Sequence, residues 1–433
     1  MILVSVLSAA VCLAMILSVL FFPAVRLGKI KLDTYWIITL AGAIIIFACS
    51  STDISIIFNA LVDDTAVNPL KILALFICMT FLSIFLDEAG FFKKTANAVL
   101  SRNKLGQRRM FVTLYLLVSV LTVFTSNDII ILSFTPFICY FAKNAKIDPV
   151  PYLAAEFVAA NTCSIALIIG NPTNVYLATA AGIDFLTYLK YSFLPTLSGG
   201  AVAFAALYIL FAKKLKAVPD CRPENVEIKD KFLLWVGAAH LAVTTVLLAV
   251  SSYIGIEMWL VSVCAAGSLL IFTLLTAIVR RQKPVQLFKC VKRTPFQLIP
   301  FVLSMFIIIV ILGEKGVTEK LAQVLKNDLP ILTYGATAFL FSNLINNIPM
   351  SVLFSSVLSC GAGTEAVFAT IIASNIGAFL TPIGALAGIM WSSMIGKQGI
   401  KFGYADFLKT GIIAAIPSLF AALGGLWLAF VIF

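Results

Sequence analysis

Histidine and charged residues are scarce in this sequence. One histidine occurs among 433 residues, and Asp, Glu, Lys and Arg together make up 12% of the chain, against about 25% in a typical soluble domain. Because His240 is alone, a metal site built from several imidazole groups is excluded. No Walker motif is present, so any use of ATP would require a separate subunit. One histidine and scattered acids also do not assemble a catalytic site, so we predict that the protein is not an enzyme.

Paired cysteines and long polar segments are lacking as well. None of the nine cysteines belongs to a CxxC pair, and most lie in apolar runs, where cysteine packs as a small hydrophobic residue. The longest polar stretch, 213–231, is too short to be a soluble domain. Hydrophobic residues instead make up 61% of the chain. This composition predicts an all-α, multi-pass protein of the cell membrane whose outer helix faces contact the lipid bilayer.

The net charge of +11 is concentrated in short connections between apolar runs, which favours membrane orientation over nucleic-acid binding. Segments 91–109 and 280–293 each carry six basic residues and no acid, so we predict that both are cytoplasmic. Segments 51–68 and 314–328 lack this excess and are predicted to lie outside. Residues 1–24 have no basic start and no cleavage site, which predicts a first membrane helix rather than a removed signal.

Two parts of the chain share an ordered pattern. Asn161 and Gly170 are nine residues apart in the first part, as are Asn375 and Gly384 in the second. The basic connections imply that helix 69–87 and its counterpart 296–313 cross the membrane in opposite directions, which predicts inverted repeats. Chance similarity between apolar helices is the alternative. The predicted division is N-terminal helices 1–68, first repeat 69–212, cytoplasmic linker 213–231, connecting helices 232–295 and second repeat 296–433.

Amide and hydroxyl side chains interrupt the apolar helices of both predicted repeats, next to glycine and proline. Broken helices of inverted repeats meet near the middle of the membrane, where their N-termini offer free N–H groups to a solute. Hydrogen bonding between helices is the alternative for any single residue. The predicted substrate-binding residues are Asn127, Asn161, Thr162, Asn171, Thr173, Asn174, Asn346, Asn347, Asn375 and Thr381.

Two acids, Asp128 and Glu156, lie in apolar stretches without a basic neighbour in sequence. Ionisable residues at membrane depth commonly mark ion pathways, and burial favours the protonated form of a carboxyl group. We therefore predict that both take part in ion coupling, as sites for a proton or Na⁺, and we expect no other cofactor and no bound metal. A protonated structural acid, or one near the membrane surface, is the alternative.

Several motifs resemble the ion transporter superfamily, and most of all its arsenical pump membrane protein family. They are Leu86-Asp87-Glu88-Ala89-Gly90-Phe91-Phe92, Asn127-Asp128 followed by Thr135-Pro136, Asn346-Asn347-Ile348-Pro349 and Thr381-Pro382-Ile383-Gly384. Residues 169–174 look more like the citrate permease and P protein branches of the superfamily. The resemblance implies a secondary active transporter with re-entrant hairpins, in which a mobile bundle slides against a scaffold as an elevator.

The resemblance also ranks the functions. Ion-coupled efflux of arsenite or antimonite comes first, Na⁺- or H⁺-coupled transport of citrate or a dicarboxylate is the alternative, and Na⁺/H⁺ antiport is third. Expected partners are the lipid bilayer and a small-molecule or inorganic ion substrate. They can include a second copy of the chain in a homodimer and an ATPase subunit, which some arsenical pumps use.

Overall fold

The structure is a computed structural model that describes residues 2–22, 24–27, 30–63, 68–92, 94–95, 106–216, 228, 230–251 and 254–433. The described chain is helical almost throughout, as predicted. Most of the predicted linker 213–231, and Lys93, Arg102 and Lys104 of the basic segment 91–109, lie outside the described residues.

The helices of the first half follow one another with short connections. They are α1 Ile2–Phe21, α2 Thr34–Ser50, α3 Ile54–Val62, α4 Pro69–Glu88, α5 Gln107–Val123, α6 Asn127–Asn144, α7 Val150–Cys163, α8 Pro172–Ala180 and α9 Phe185–Phe211. One departure from the all-α prediction is a short antiparallel hairpin between α1 and α2. Its strands are β1 Ala24–Leu27 and β2 Ile30–Asp33, with Ala24 opposite Asp33.

The helices of the second half are α10 Lys231–Val250, α11 Met258–Val279, α12 Val285–Arg293, α13 Leu298–Glu314, α14 Val317–Leu325, α15 Pro330–Ile345, α16 Asn347–Leu358, α17 Thr364–Gly377, α18 Leu386–Lys397 and α19 Tyr404–Ile432. Their order follows that of the first half, except that α14 has no counterpart among the described residues of the first half. Helices α1 and α10 both have 20 residues, α3 and α12 both have 9 residues, and both halves end in a helix of more than 25 residues. The division of the chain into repeats, linker and connecting helices stays a prediction.

Several helices are suited to a lipid environment. Among the described residues, six helical segments are long and apolar enough to cross a membrane; they are Pro69–Glu88, Phe185–Phe211, Lys231–Leu248, Met258–Val279, Val285–Glu314 and Tyr404–Ile432. Large apolar side chains are exposed on them, including Ile209, Trp235, Val279 and Trp427. Such surfaces are stable in hydrocarbon but not in water. The protein is therefore a multi-pass membrane protein.

The helix contacts between the halves come in matching pairs, in which each contact of a first-half helix has a counterpart made by a second-half helix. Helix α4 of the first half packs against α11 and α12, and α13 of the second half packs against α2 and α3. In the same way α8 packs against α16, and α18 packs against α6. The long helices α9 and α19 lie along each other through small residues, where Ser418 Oγ donates to Gly199 O at 2.9 Å and Ser198 Oγ donates to Ala421 O at 2.9 Å. Small residues allow this close approach of the two backbones.

An ion-pair cluster fixes α12 to the end of α4. Arg293 binds Asp87 and Glu88, with N–O distances of 2.6 Å to each, and both acid side chains are only 13–14% exposed. Gln286 Nε2 donates to Phe85 O at 3.2 Å in the same contact. The acidic pair of the first sequence motif is therefore neutralised by a base of segment 280–293.

Replacing Arg293 with alanine is expected to destabilise the protein by about 2 kcal/mol. The variant leaves the mostly buried Asp87 without an ion pair among the described residues, while Glu88 keeps only the longer contact of 3.7 Å to Lys289. Thermal unfolding of the purified protein in detergent measures the effect. Lys289→Ala is the matched control, because this lysine is 61% exposed and lies 3.7 Å from Glu88. Equal unfolding temperatures for the two variants would contradict the role given to Arg293.

Candidate functional site

The two halves each contain a hairpin of two helices with a break at its tip. In the second half the break between α15 and α16 is Asn346, whose φ of 75° and ψ of 151° are rare for a residue with a side chain. Asn346 Nδ2 donates to Ile383 O at 2.9 Å, and the backbone N–H of Asn347 donates to Gly384 O at 3.0 Å. The hairpin tip is thus fixed to the chain that precedes α18.

In the first half, the corresponding hairpin α5–α6 breaks at residues 124–126. Ser126 precedes α6 but makes no side-chain cap bond, so within the described part of the chain the free N–H groups of α6 have no acceptor from the cap residue. An uncapped helix N-terminus favours a partial negative charge nearby. Asn127 is the first residue of this helix and Asp128 is the second.

A second kind of break interrupts the helix pairs α7–α8 and α17–α18. Two short turns, Ser164–Ala166 and Ile168–Gly170, separate α7 from α8. A Cβ atom at Gly170 would overlap the carbonyl oxygen of Ser164, and one at Gly384 would lie 2.5 Å from the carbonyl oxygen of Gly377. Both breaks therefore require glycine, at the two positions that the sequence pattern paired.

Asn375 joins the two halves at the centre of this region. Its Oδ1 accepts hydrogen bonds from Ser164 Oγ and Asn171 Nδ2, both at 2.8 Å, and its Nδ2 donates to Asn174 Oδ1 at 2.6 Å. Thr173 Oγ1 lies 3.0 Å from the Oγ of Ser374. All of these side chains are buried. The structure thus brings four of the predicted residues together, and the hydrogen-bonding groups of Asn375 are all paired.

Three other predicted residues lie at the end of α7 and the start of α6. Asn127 Nδ2 donates to Asn161 Oδ1 at 3.0 Å, and Asn161 Nδ2 donates to Phe157 O at 2.8 Å. Thr162 is buried too, but its hydroxyl donates to Val158 O of its own helix at 2.8 Å. Thr162 is therefore next to the cluster without contributing a contact across it.

The remaining predicted residues are Asn346, Asn347 and Thr381, and Thr381 is hydrogen-bonded to Asn343, which sequence analysis did not assign to the site. Thr381 Oγ1 donates to Asn343 Oδ1 at 2.7 Å, and Asn343 Nδ2 donates to Gly377 O at 3.1 Å. Asn343 is in the last turn of α15, three residues before the break at Asn346. The Asn347 side chain makes no hydrogen bond to the residues that the structure describes, although it is 3% exposed.

The two predicted coupling acids have different surroundings. Glu156 is fully buried in α7, and its two carboxyl oxygens lie 2.9 and 3.1 Å from Thr135 Oγ1 of α6. Asp128 is partly exposed and makes neither a hydrogen bond nor an ion pair with any described residue. Glu156 precedes the end of α7 by seven residues, or about 10 Å of helix. It is therefore separate from the amide groups at the breaks.

The cavities that the structure shows beside the predicted polar residues at the helix breaks are small. One cavity of about 20 Å³ lies beside Pro172, Thr173 and Ser351, and another of about 10 Å³ lies beside Thr125 and Ser126. A single water molecule needs about 10–15 Å³. Each of these two cavities is therefore about the size of one water molecule and is too small for a larger solute.

Comparison with known proteins identifies the group to which this bundle belongs. A protein-family profile described as "Citrate transporter" matches residues 1–367. The chain belongs to the citrate transporter family. The match runs from α1 into α17 and so includes both hairpins. The protein is accordingly a membrane transporter.

Curated relatives of this family member extend over most of its length. The "Arsenical pump membrane protein" of Escherichia coli (strain K12) is 27% identical over 396 residues, which cover 86% of this chain and 88% of the relative. The protein of the same name from Yersinia enterocolitica gives the same values. An uncharacterized transporter of Mycobacterium tuberculosis is 23% identical over 368 residues, covering 80% and 82% of the two chains. The predicted resemblance is confirmed.

Proposed function

We propose that this protein is an ion-coupled secondary transporter of a small inorganic solute, with efflux of arsenite or antimonite as its function. The observation that carries this proposal is the cluster of buried amides and hydroxyls around Asn375, where side chains of both halves meet without a charged group among them. At neutral pH arsenite is the uncharged trihydroxide As(OH)₃, and each of its hydroxyl groups can donate and accept a hydrogen bond. Asn and Thr side chains match such groups without introducing charge. The named relatives from Escherichia coli and Yersinia support the same substrate class.

Coupled transport of citrate or a dicarboxylate is the second candidate. The family description supports it, and so does the uncapped N-terminus of α6, which suits a carboxylate. No lysine or arginine hydrogen-bonds to the described cluster, however, so a triply charged anion would lack counter-charges there. Na⁺/H⁺ antiport stays third, since it would leave the paired amides without a role.

The reciprocal packing supports two inverted repeats and an elevator movement. In this proposal α5–α9 and α15–α19 form the moving bundle, and α1–α4 and α10–α13 form the scaffold. The contact between them includes Ile72 and Phe76 of α4 facing Ile348 and Val352 of α16 across a small apolar cavity. An apolar contact without directional bonds allows one surface to slide along another.

Transport into vesicles tests the function. Inside-out membrane vesicles are expected to accumulate arsenite under an imposed pH or Na⁺ gradient, while vesicles without the protein are not. Citrate and succinate serve as alternative solutes in the same assay. Accumulation of citrate but not arsenite would replace the first candidate with the second, and accumulation of none of them would contradict both.

Labelling tests the inverted arrangement independently of the substrate. Lys94→Cys and Lys320→Cys place single thiols at exposed positions, in a background without the native cysteines. If the repeats are inverted, a membrane-impermeant maleimide labels Lys320→Cys in intact cells and labels Lys94→Cys only after permeabilisation. Labelling of both from one side would contradict the inversion.

A further inference from the structure

Glu156 occupies a closed pocket formed by three helices of both halves. The only hydrogen bonds that its carboxyl group makes in the described structure come from the hydroxyl of Thr135 on α6, at 2.9 and 3.1 Å. Trp391 of α18 faces the same carboxyl group. Its Nε1 is buried, and no acceptor has full hydrogen-bond geometry with it. Phe157 packs on the Trp391 ring with the centroids 5.1 Å apart, so the indole has a fixed position.

The pocket contains no positive charge that could balance an ionised carboxylate. Among the described residues no lysine, arginine or histidine forms an ion pair with Glu156. The titratable group that interacts with it is the thiol of Cys139 on α6, whose ionisation would add a second negative charge. The hydroxyl and backbone N–H of Thr135 and the poorly aligned N–H of Trp391 carry no full positive charge, and they do not compensate for the desolvation of a carboxylate. In this closed conformation the group is therefore stable as the neutral acid.

The equivalent place in the second half has no acid. Glu156 lies five residues before Asn161, and Thr370 lies five residues before Asn375. The Thr370 hydroxyl donates to Ala366 O of its own helix at 2.8 Å. Threonine has no carboxyl group and therefore cannot bind and release a proton as Glu156 can. If the two halves are related as repeats, the carboxyl pocket occurs in the first repeat alone. Packing that both repeats have in common therefore does not explain it.

We propose that Glu156, rather than Asp128, binds the coupling proton, and that Thr135 and Trp391 are its positioning residues. The proposal rests on the proposed function, because it names the ion that drives the transporter. When α6 moves away from α7, Thr135 leaves the carboxyl group and water enters. The O–H bond of the acid then breaks, the proton passes to water and the carboxylate remains hydrated. Return of a proton from water is required before the pocket closes again, which links proton exchange to the movement of hairpin α5–α6.

Infrared spectroscopy of the purified full-length protein tests the carboxyl group without any substrate. The difference spectrum between wild type and Glu156→Gln is expected to show a carboxylic acid C=O band that disappears as the pH is raised. Asp128→Asn is the matched control and is expected to leave this band in place. Absence of the band at every pH, or a band that never disappears, would overturn the proposal.

Variants of Thr135 test the positioning role. Thr135→Val removes the hydroxyl that donates to the ionised carboxylate. Because the ionised form is then less stable, the carboxylic acid band is expected to persist to higher pH than in wild type. Thr135→Ser keeps the hydroxyl and is expected to restore the wild-type titration. Identical titrations for the valine and serine variants would show that Thr135 does not position the carboxyl group.

Transport in vesicles tests the coupling, with arsenite and citrate as probes. Glu156→Gln is expected to lose at least tenfold of the accumulation driven by a pH gradient, yet to retain exchange of labelled for unlabelled solute, which needs no net proton movement. Undiminished pH-driven accumulation by this variant would overturn the proposal. If wild type transports neither probe, the proposed function fails, and the infrared result still decides whether Glu156 exchanges a proton.

Discussion

Gly170→Ala is expected to abolish transport and to reduce the amount of folded protein. The added Cβ would overlap the carbonyl oxygen of Ser164, which is backbone and cannot rotate away. This carbonyl is also held by Asn174 Nδ2 at 2.7 Å, so its displacement breaks a buried hydrogen bond. Overpacking of this kind costs about 1–3 kcal/mol, to which the lost hydrogen bond adds about 1–3 kcal/mol. Size-exclusion chromatography and arsenite accumulation in vesicles measure the two effects.

Two further glycine variants make this prediction specific. Gly384→Ala is expected to have the same effect in weaker form, because its added Cβ would lie 2.5 Å from the backbone carbonyl oxygen of Gly377, which is a less severe overlap than the one at Gly170. Gly267→Ala in α11 meets nothing within 4 Å and is expected to behave like wild type. If Gly170→Ala matched Gly267→Ala, the turn between α7 and α8 would not have the geometry described here.

The positions of the helix breaks could be predicted from the sequence because their causes are local. Asn beside Gly or Pro interrupts an apolar run in the sequence, and the chain breaks at Asn346, between Ser164 and Asn171, and before α18. A glycine without room for a Cβ and a proline without an N–H act within one or two turns of helix. The hairpin β1–β2 was missed because each strand has only four residues.

The partners of the buried polar groups could not be predicted from the sequence. Asn375 binds Asn171 and Asn174, which precede it by about 200 residues, and Trp391 meets Glu156 across the interface of the two halves. Such contacts depend on which helix faces pack together, and apolar periodicity does not determine this in helices that are apolar on all sides. The sequence therefore predicted a set of polar residues but not its division into paired amides and a separate carboxyl pocket.

This division determines which predicted residues are expected to bind the solute. Asn375 has no hydrogen-bonding group left for a ligand in the closed conformation, since it accepts two hydrogen bonds and also donates to Asn174. Asn347 has no side-chain partner among the described residues and is the first residue of α16. We infer that Asn375 fastens the two halves together, whereas Asn347 is free to contact the solute.

Asn375→Ala is therefore expected to lower the stability of the protein by about 3 kcal/mol. The variant leaves Asn171 Nδ2 and Asn174 Oδ1 buried without this partner, and each unsatisfied group costs about 1–3 kcal/mol. Thermal unfolding in detergent measures the loss. Asn375→Ala weakens the helix bundle but removes no contact with the solute. The transport rate at saturating arsenite is therefore expected to fall, while the KM stays near that of wild type.

Asn347→Ala is expected to change binding rather than stability. Its unfolding temperature is expected to stay near that of wild type, and its KM for arsenite is expected to rise about tenfold. This rise corresponds to a loss of about 1.4 kcal/mol of binding free energy. Asn327→Ala serves as the control for both variants, since Asn327 is exposed in a turn and bonds only to nearby groups such as Thr333. A raised KM with unchanged stability for Asn375→Ala would assign that residue to the solute. The paired amides would then have to separate during binding, and the closed cluster would be the form that the solute displaces.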